Sequence, residues 1–191
     1  MEEQDKLIEA LQLVDGVLED TEYRECTFRG CSFATVVMRN VKFVNCIFAD
    51  CVLKSVTFRA CSMLNSTFRN CALVGLDWSS VRRHGARLPL LTAMRSCTIK
   101  YNTFIDVSLA RMDFAESTLH DCYFQDCSLK QALFRGGDLQ NTVFQNCDLS
   151  KADFREARNY SINVQNNKVA KARFSLPEAV GLLAGFDIVI E

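Results

Sequence analysis

The 191-residue chain has only two histidines, His84 and His120, and neither has cysteine or carboxylate partners at the spacing of a metal set or a catalytic triad. No enzyme activity, metal or cofactor is therefore expected. Its ten cysteines include no Cys-x-x-Cys, which removes the zinc-knuckle and thioredoxin-type readings. Thiols in that number fit a reducing compartment. No apolar run approaches 18 residues, and the acidic N-terminus lacks a basic segment ahead of an apolar core. Neither a membrane partner nor a signal peptide is expected, and the protein reads as cytoplasmic. A net charge of -1 and a pI near 6.2 favour no single electrostatic class of partner, and no direct nucleic-acid binding is expected.

What the chain does have is a period of five. Counting from Leu18 gives Tyr23, Phe28, Phe33, Met38, Phe43, Phe48, Leu53, Phe58, Met63, Phe68, Leu73 and Trp78, all large and apolar. A second series, one residue out of phase, runs from Ile99 through Phe104, Leu109, Phe114, Leu119, Phe124, Leu129, Phe134, Leu139, Phe144, Leu149 and Phe154. It continues through Asn159, Val164 and Val169 to Phe174, and Asn159 alone breaks it. Every cysteine sits two residues before a position of one of these series. Recurrence this strict is the signature of a solenoid.

A period of five matches neither the 3.6 of a helix nor the 2 of a strand, so the chain must turn once per repeat. If each pentad forms one side of a square coil, residues twenty apart stack. Phe28, Phe48 and Phe68 then form one column, Phe104, Phe124 and Phe144 another, and Phe114, Phe134, Phe154 and Phe174 a third. Leu109, Leu129 and Leu149 fill an adjacent column. The residue two before each large one also points inward and must be small, so the cysteines read as apolar filling. The remaining positions, rich in Asp, Asn, Ser, Thr, Arg, Lys and Gln, suit turns and a solvated wall. Asp106 and Asp126 stack on one such face, where they are wall residues or a weak acidic contact face.

The organisation follows: residues 1–15 form an N-terminal cap, 16–78 a first tower segment, 79–96 an interruption, 97–174 a second tower segment and 175–191 a terminal module. In residues 1–15, Leu7, Ile8, Leu11, Val14 and Leu18 fit a helical stripe, while Ile8, Leu13 and Leu18 also fit the five-residue series. A short helical cap is expected, since the end of a solenoid needs a cover. The interruption carries Arg82, Arg83, His84, Arg87 and Arg95 with no acidic residue, and reads as a basic loop or short helix. Breaks in a repeat are where function is commonly mounted. In the terminal module, Ser175 and Glu178 suggest a capping box opening a helix of about eight residues, with a strand beyond it. Leu182, Leu183, Phe186, Ile188, Val189 and Ile190 would be an aggregation hazard if exposed, and a twofold interface between two copies is the expected cover.

The pentads CSFAT, CALVG, CSLKQ, CDLSK and ADFRE resemble the A(D/N)LXX consensus of pentapeptide-repeat proteins over roughly residues 16 to 174. That resemblance implies an all-β fold, a right-handed quadrilateral β-helix. The segments LDWSSV and ARFSLPEAVGLLAGFDIVIE are similar to the Qnr, albicidin-resistance and microcin-immunity members. Such members imply a rod-like homodimer that engages DNA gyrase or topoisomerase IV and relieves a topoisomerase poison through loops projecting from the tower. The matching element here is the interruption with Arg82, Arg83, His84 and Arg87. Imitation of DNA fits poorly: a rod of roughly 34 Å at full duplex charge needs about 20 negative charges, against a net -1. A generic scaffold that binds some other protein is the alternative.

Overall fold

The structure, a computed structural model, describes residues 1–83, 89–186 and 188. Three-residue strands stack in parallel on the four sides of a coil, twenty residues per turn in the first segment. One side holds Glu2–Gln4, Glu22–Arg24, Lys42–Val44, Ser62–Leu64 and Arg82–Arg83. The next holds Leu7–Glu9, Thr27–Arg29, Ile47–Ala49, Ser66–Arg69 and Leu91–Arg95. A third runs from Gln12–Val14 to Thr118–His120, and the fourth carries Val17–Glu19, Val37–Arg39 and Thr57–Arg59. The fold is a right-handed quadrilateral β-helix.

Backbone chemistry explains why the coil turns where it does. At most corners, two residues after the large inward one, φ is positive: Asp15, Asp20, Gly30, Asn40, Asn45 and Asp50 are examples. Asp, Asn and Gly tolerate that left-handed conformation best. Each corner N–H then donates to the next coil, as Asp20 does to the Arg39 carbonyl at 3.0 Å. Corner amides stack as well. Asn40 donates to Asp20 at 2.7 Å, Asn65 to Asn45 at 2.9 Å and Asn141 to Asp121 at 3.1 Å.

Inside, the columns form as expected but join differently. Phe28, Phe48 and Phe68 stack at 4.7 and 4.6 Å. Their side continues through buried Met94 into Phe114, Phe134, Phe154 and Phe174, so two expected columns are one. Asn159 breaks the series because it takes a corner at positive φ, while Tyr160 and Ile162 turn inward in its place.

Residues 2–14 are strands of the first coil and not the expected helical cap. Pairing with the following coil outweighs the helical stripe, and Asp5, Ala10 and Asp15 occupy left-handed corners that a helix cannot contain. Glu178–Gly185 forms eight residues of 3-10 helix, and Leu182 packs on the core. The capping box is absent. Pro177 is the N-cap without a side-chain bond, and Ser175 instead continues the coil, its hydroxyl accepting from the Glu156 N–H at 3.2 Å.

Candidate partner-binding surfaces

The interruption is narrower than residues 79–96. Trp78–Ser80 is a 3-10 turn held by Asp77, whose carboxylate accepts from the Ser79 N–H at 3.0 Å. Arg82 and Arg83 pair with Ser62 and Met63 as an ordinary coil. From Leu90 the chain is again in the tower: Leu90, Leu91 and Met94 are buried, and Phe68 pairs with Met94 twenty-six residues on. Six extra residues are therefore accommodated between Arg83 and Met94, on one edge of the coil. His84 and Arg87 lie outside the described residues.

The insertion disturbs the side that Arg82 and Arg83 close. That side resumes at Ser108, which bridges to Ser128. Between the two parts lies a groove of about 280 Å³ lined by Ser79, Val81, Leu90, Asp106, Val107 and Ser108. The structure thus brings the exposed Arg82 to the same break as Asp106, which pattern alone had placed on a separate acidic face. Asp126 stacks one coil on from Asp106 and is occupied as a corner acceptor for Asn146 and Gln125. Arg95, counted with the basic interruption, is in the tower and neutralised by Glu116 at 3.1 Å. Hydrogen bonds from Arg95 and Ser96 hold the Glu116 carboxyl below its ordinary range.

The ten cysteines do more than fill space. Most donate the thiol to the inward carbonyl of the preceding coil: Cys46 to Tyr23, Cys61 to Met38, Cys71 to Phe48, Cys122 to Ile99 and Cys127 to Phe104. Ser117, Thr142 and Asn102 serve Met94, Leu119 and Leu73 from the same position in the pentad. Burial pushes the Cys46 thiol up to about 12 and the Cys122 thiol to about 11, so both stay protonated and able to donate. All ten are buried and unpaired. Among the described residues no group of three or more His, Cys, Asp or Glu is placed to hold a metal ion.

At the C-terminus, Leu176, Val180, Leu183, Phe186 and Ile188 are exposed beside the half-buried Leu182. Val189 and Ile190 lie outside the described residues. Among the described residues no helix is long and apolar enough to cross a membrane.

A model of the pentapeptide repeat region matches residues 11–89 and 90–175. The chain belongs to the pentapeptide-repeat family. Its coil is similar to trypsin-treated QnrB1, a plasmid-mediated fluoroquinolone resistance protein, with a TM-score of 0.54 and 16% identity over 96% of this chain and 99% of that one. It is comparably similar to HetL, a pentapeptide repeat protein involved in heterocyst differentiation regulation from the cyanobacterium Nostoc. There the TM-score is 0.51 at 16% identity, over 88% of this chain and 85% of that one. At such identity the likeness is one of fold. No curated protein sequence matches the chain.

Proposed function

We propose that this pentapeptide-repeat protein is a non-catalytic, cytoplasmic protection factor. It engages DNA gyrase or topoisomerase IV and relieves a poison of the quinolone, albicidin or microcin type, giving resistance or self-immunity. The observation that carries this reading is the single six-residue excess in the coil, edged by the exposed Arg82 and a groove holding Asp106. A rod built of periodic filling needs no such break for its stability, so a break with arginines suits a partner contact. The likeness to QnrB1, a fluoroquinolone resistance protein, along nearly the whole of both chains supports the resistance part of this reading.

The exposed Leu183, Phe186 and Ile188 support a homodimer through the C-terminus. Ile188→Glu is then expected to give monomers in light scattering, and an unchanged mass removes that seam. The comparable likeness to HetL favours a second reading, a scaffold for some other protein. A gyrase supercoiling assay with purified protein and each class of poison separates the two. Restored supercoiling supports protection; no rescue with any poison leaves the scaffold reading.

A further inference from the structure

The corners of the second tower segment do not share one chemistry. Asp106, Asp126 and Asn146 stack at one corner, Asp121 and Asn141 at another, and Glu116, Gly136 and Glu156 at a third. The fourth carries Arg111, Gln131, Lys151 and Lys171, all with φ between 59° and 62°. Left-handed backbone costs an L-residue about 1–2 kcal/mol, and Asn, Asp or Gly would sit there more cheaply. Four successive coils instead hold long side chains, three of them cationic, at a conformation that does not favour them. Such a departure is a reason to look for a ligand.

The surroundings give a second, independent reason. Acidic side chains on this side are already matched: Asp113 and Glu116 by Arg95, Glu156 by Arg135, and Asp148 by Lys130. Asp153 is buried, and the Arg155 guanidinium holds its carboxyl below the ordinary aspartate range. Among the described residues, Arg111, Lys151, Lys171 and Arg173 have no carboxylate at ion-pair distance, and Arg111 bonds to Gln131 at 3.2 Å. A groove of about 560 Å³ opens beside the last three of these cations, lined by Gln131, Leu133, Lys151, Asp153, Lys171 and Arg173. Leu133 is 40% exposed within it.

We infer that this groove and ridge form a second docking surface, separate from the break in the tower, for an acidic peptide segment carrying an apolar side chain. Charge complementarity sets the sign: Arg111, Lys151 and Lys171 have no carboxylate at ion-pair distance, Arg173 acts only on Asp153, which Arg155 already pairs, and such a cationic ridge attracts a run of carboxylates. Leu133 sets the class. An aliphatic side chain amid acidic ones can cover it, whereas a phosphate backbone presents nothing apolar to it. Gln131 supplies an amide for the peptide main chain. The inference does not rest on the topoisomerase reading, and it stands if the partner at the break is another protein.

The test uses the full chain and a fluorescein-labelled glutamate–leucine peptide, read by anisotropy, with a labelled DNA duplex as a second probe. Lys151→Asn with Lys171→Asn removes two charges while placing a better corner residue at each site. Peptide binding is expected to fall about tenfold or more, to weaken as salt is raised, and the melting temperature to hold or rise. Unchanged peptide binding in that variant, or no binding by the wild-type chain, overturns the proposal. Tighter binding of the duplex through the same lysines also overturns it, by assigning the ridge to nucleic acid. Lys151→Gln with Lys171→Gln repeats the charge loss without the corner substitution, so a fall in binding common to both pairs identifies charge as the cause.

Discussion

Trp78 and Phe104 stack with ring planes 6° apart and centroids 6.0 Å apart, although twenty-six residues separate them. The buried indole N–H donates to the Asn102 side-chain Oδ1 at 2.8 Å, and the Asn102 side-chain NH2 donates to the backbone carbonyls of Leu73 and Lys100. This pair carries the core column across the insertion, joining two tower segments whose series are out of phase. Trp78→Ala is expected to cost about 3–5 kcal/mol, the usual loss for a large aromatic core side chain. Asn102→Leu leaves the buried indole N–H without a partner, while the Lys100 carbonyl keeps its bond from the Gly75 N–H, and should cost about 1–3 kcal/mol. Urea unfolding measures both. A cost near zero for Trp78→Ala would mean that the two segments hold together without this joint.

The thiols make a separate prediction, because a filler and a donor respond differently to serine. Cys122 donates to the Ile99 carbonyl at 3.4 Å, and Ser117 and Thr142 perform the same task with hydroxyls. Cys122→Ser keeps a donor in place and is expected to cost less than Cys122→Ala, which loses about 1–3 kcal/mol by removing the thiol bond and opening a void. Equal costs would reduce the cysteine to apolar filling. Native protein should also resist iodoacetamide, since the buried Cys46 and Cys122 thiols stay protonated at neutral pH.

Thr35 is the weak corner of the first segment. It is β-branched, exposed and held at φ 54°, stacked over the corner Asp15. Thr35→Asn relieves part of the left-handed cost. It also offers an amide to Asp15, as Asn40 does to Asp20. A gain of about 1 kcal/mol is expected, a rise of about 2–4 °C in melting temperature. A fall would show that corner chemistry does not limit this fold.

The tower was legible because its rule is local and repeats: one large residue every fifth position places Phe28 over Phe48 and Phe124 over Phe144 with no long-range knowledge. Residues 1–15 are ambiguous in the sequence because Ile8 and Leu18 serve a helix stripe and the pentad equally, and only the next coil decides between them. The interruption was drawn too wide because Leu90, Leu91 and Met94 rejoin the core off the five-residue phase, through an irregular step at Ser66 and Thr67. Arg82 and Asp106 were found separately. The groove that sets Asp106 beside Val81, the neighbour of Arg82, depends on how six residues are absorbed, which no pattern records.

That narrower break changes how the contact should be tested. Truncating residues 82 to 92 would remove buried Leu90 and Leu91, and any loss of protection would then be confounded with damage to the coil. Replacing residues 84–88 alone, together with Arg82→Ala, leaves the buried column intact. Arg82 is exposed, a position where substitution shifts stability by less than about 0.5 kcal/mol, and the melting curve is expected to stay where it is. If the break is the contact, rescue of gyrase supercoiling disappears from this variant while its folding does not. Rescue that survives at full strength moves the contact to another surface, and the ridge at Lys151 and Lys171 becomes the next place to substitute.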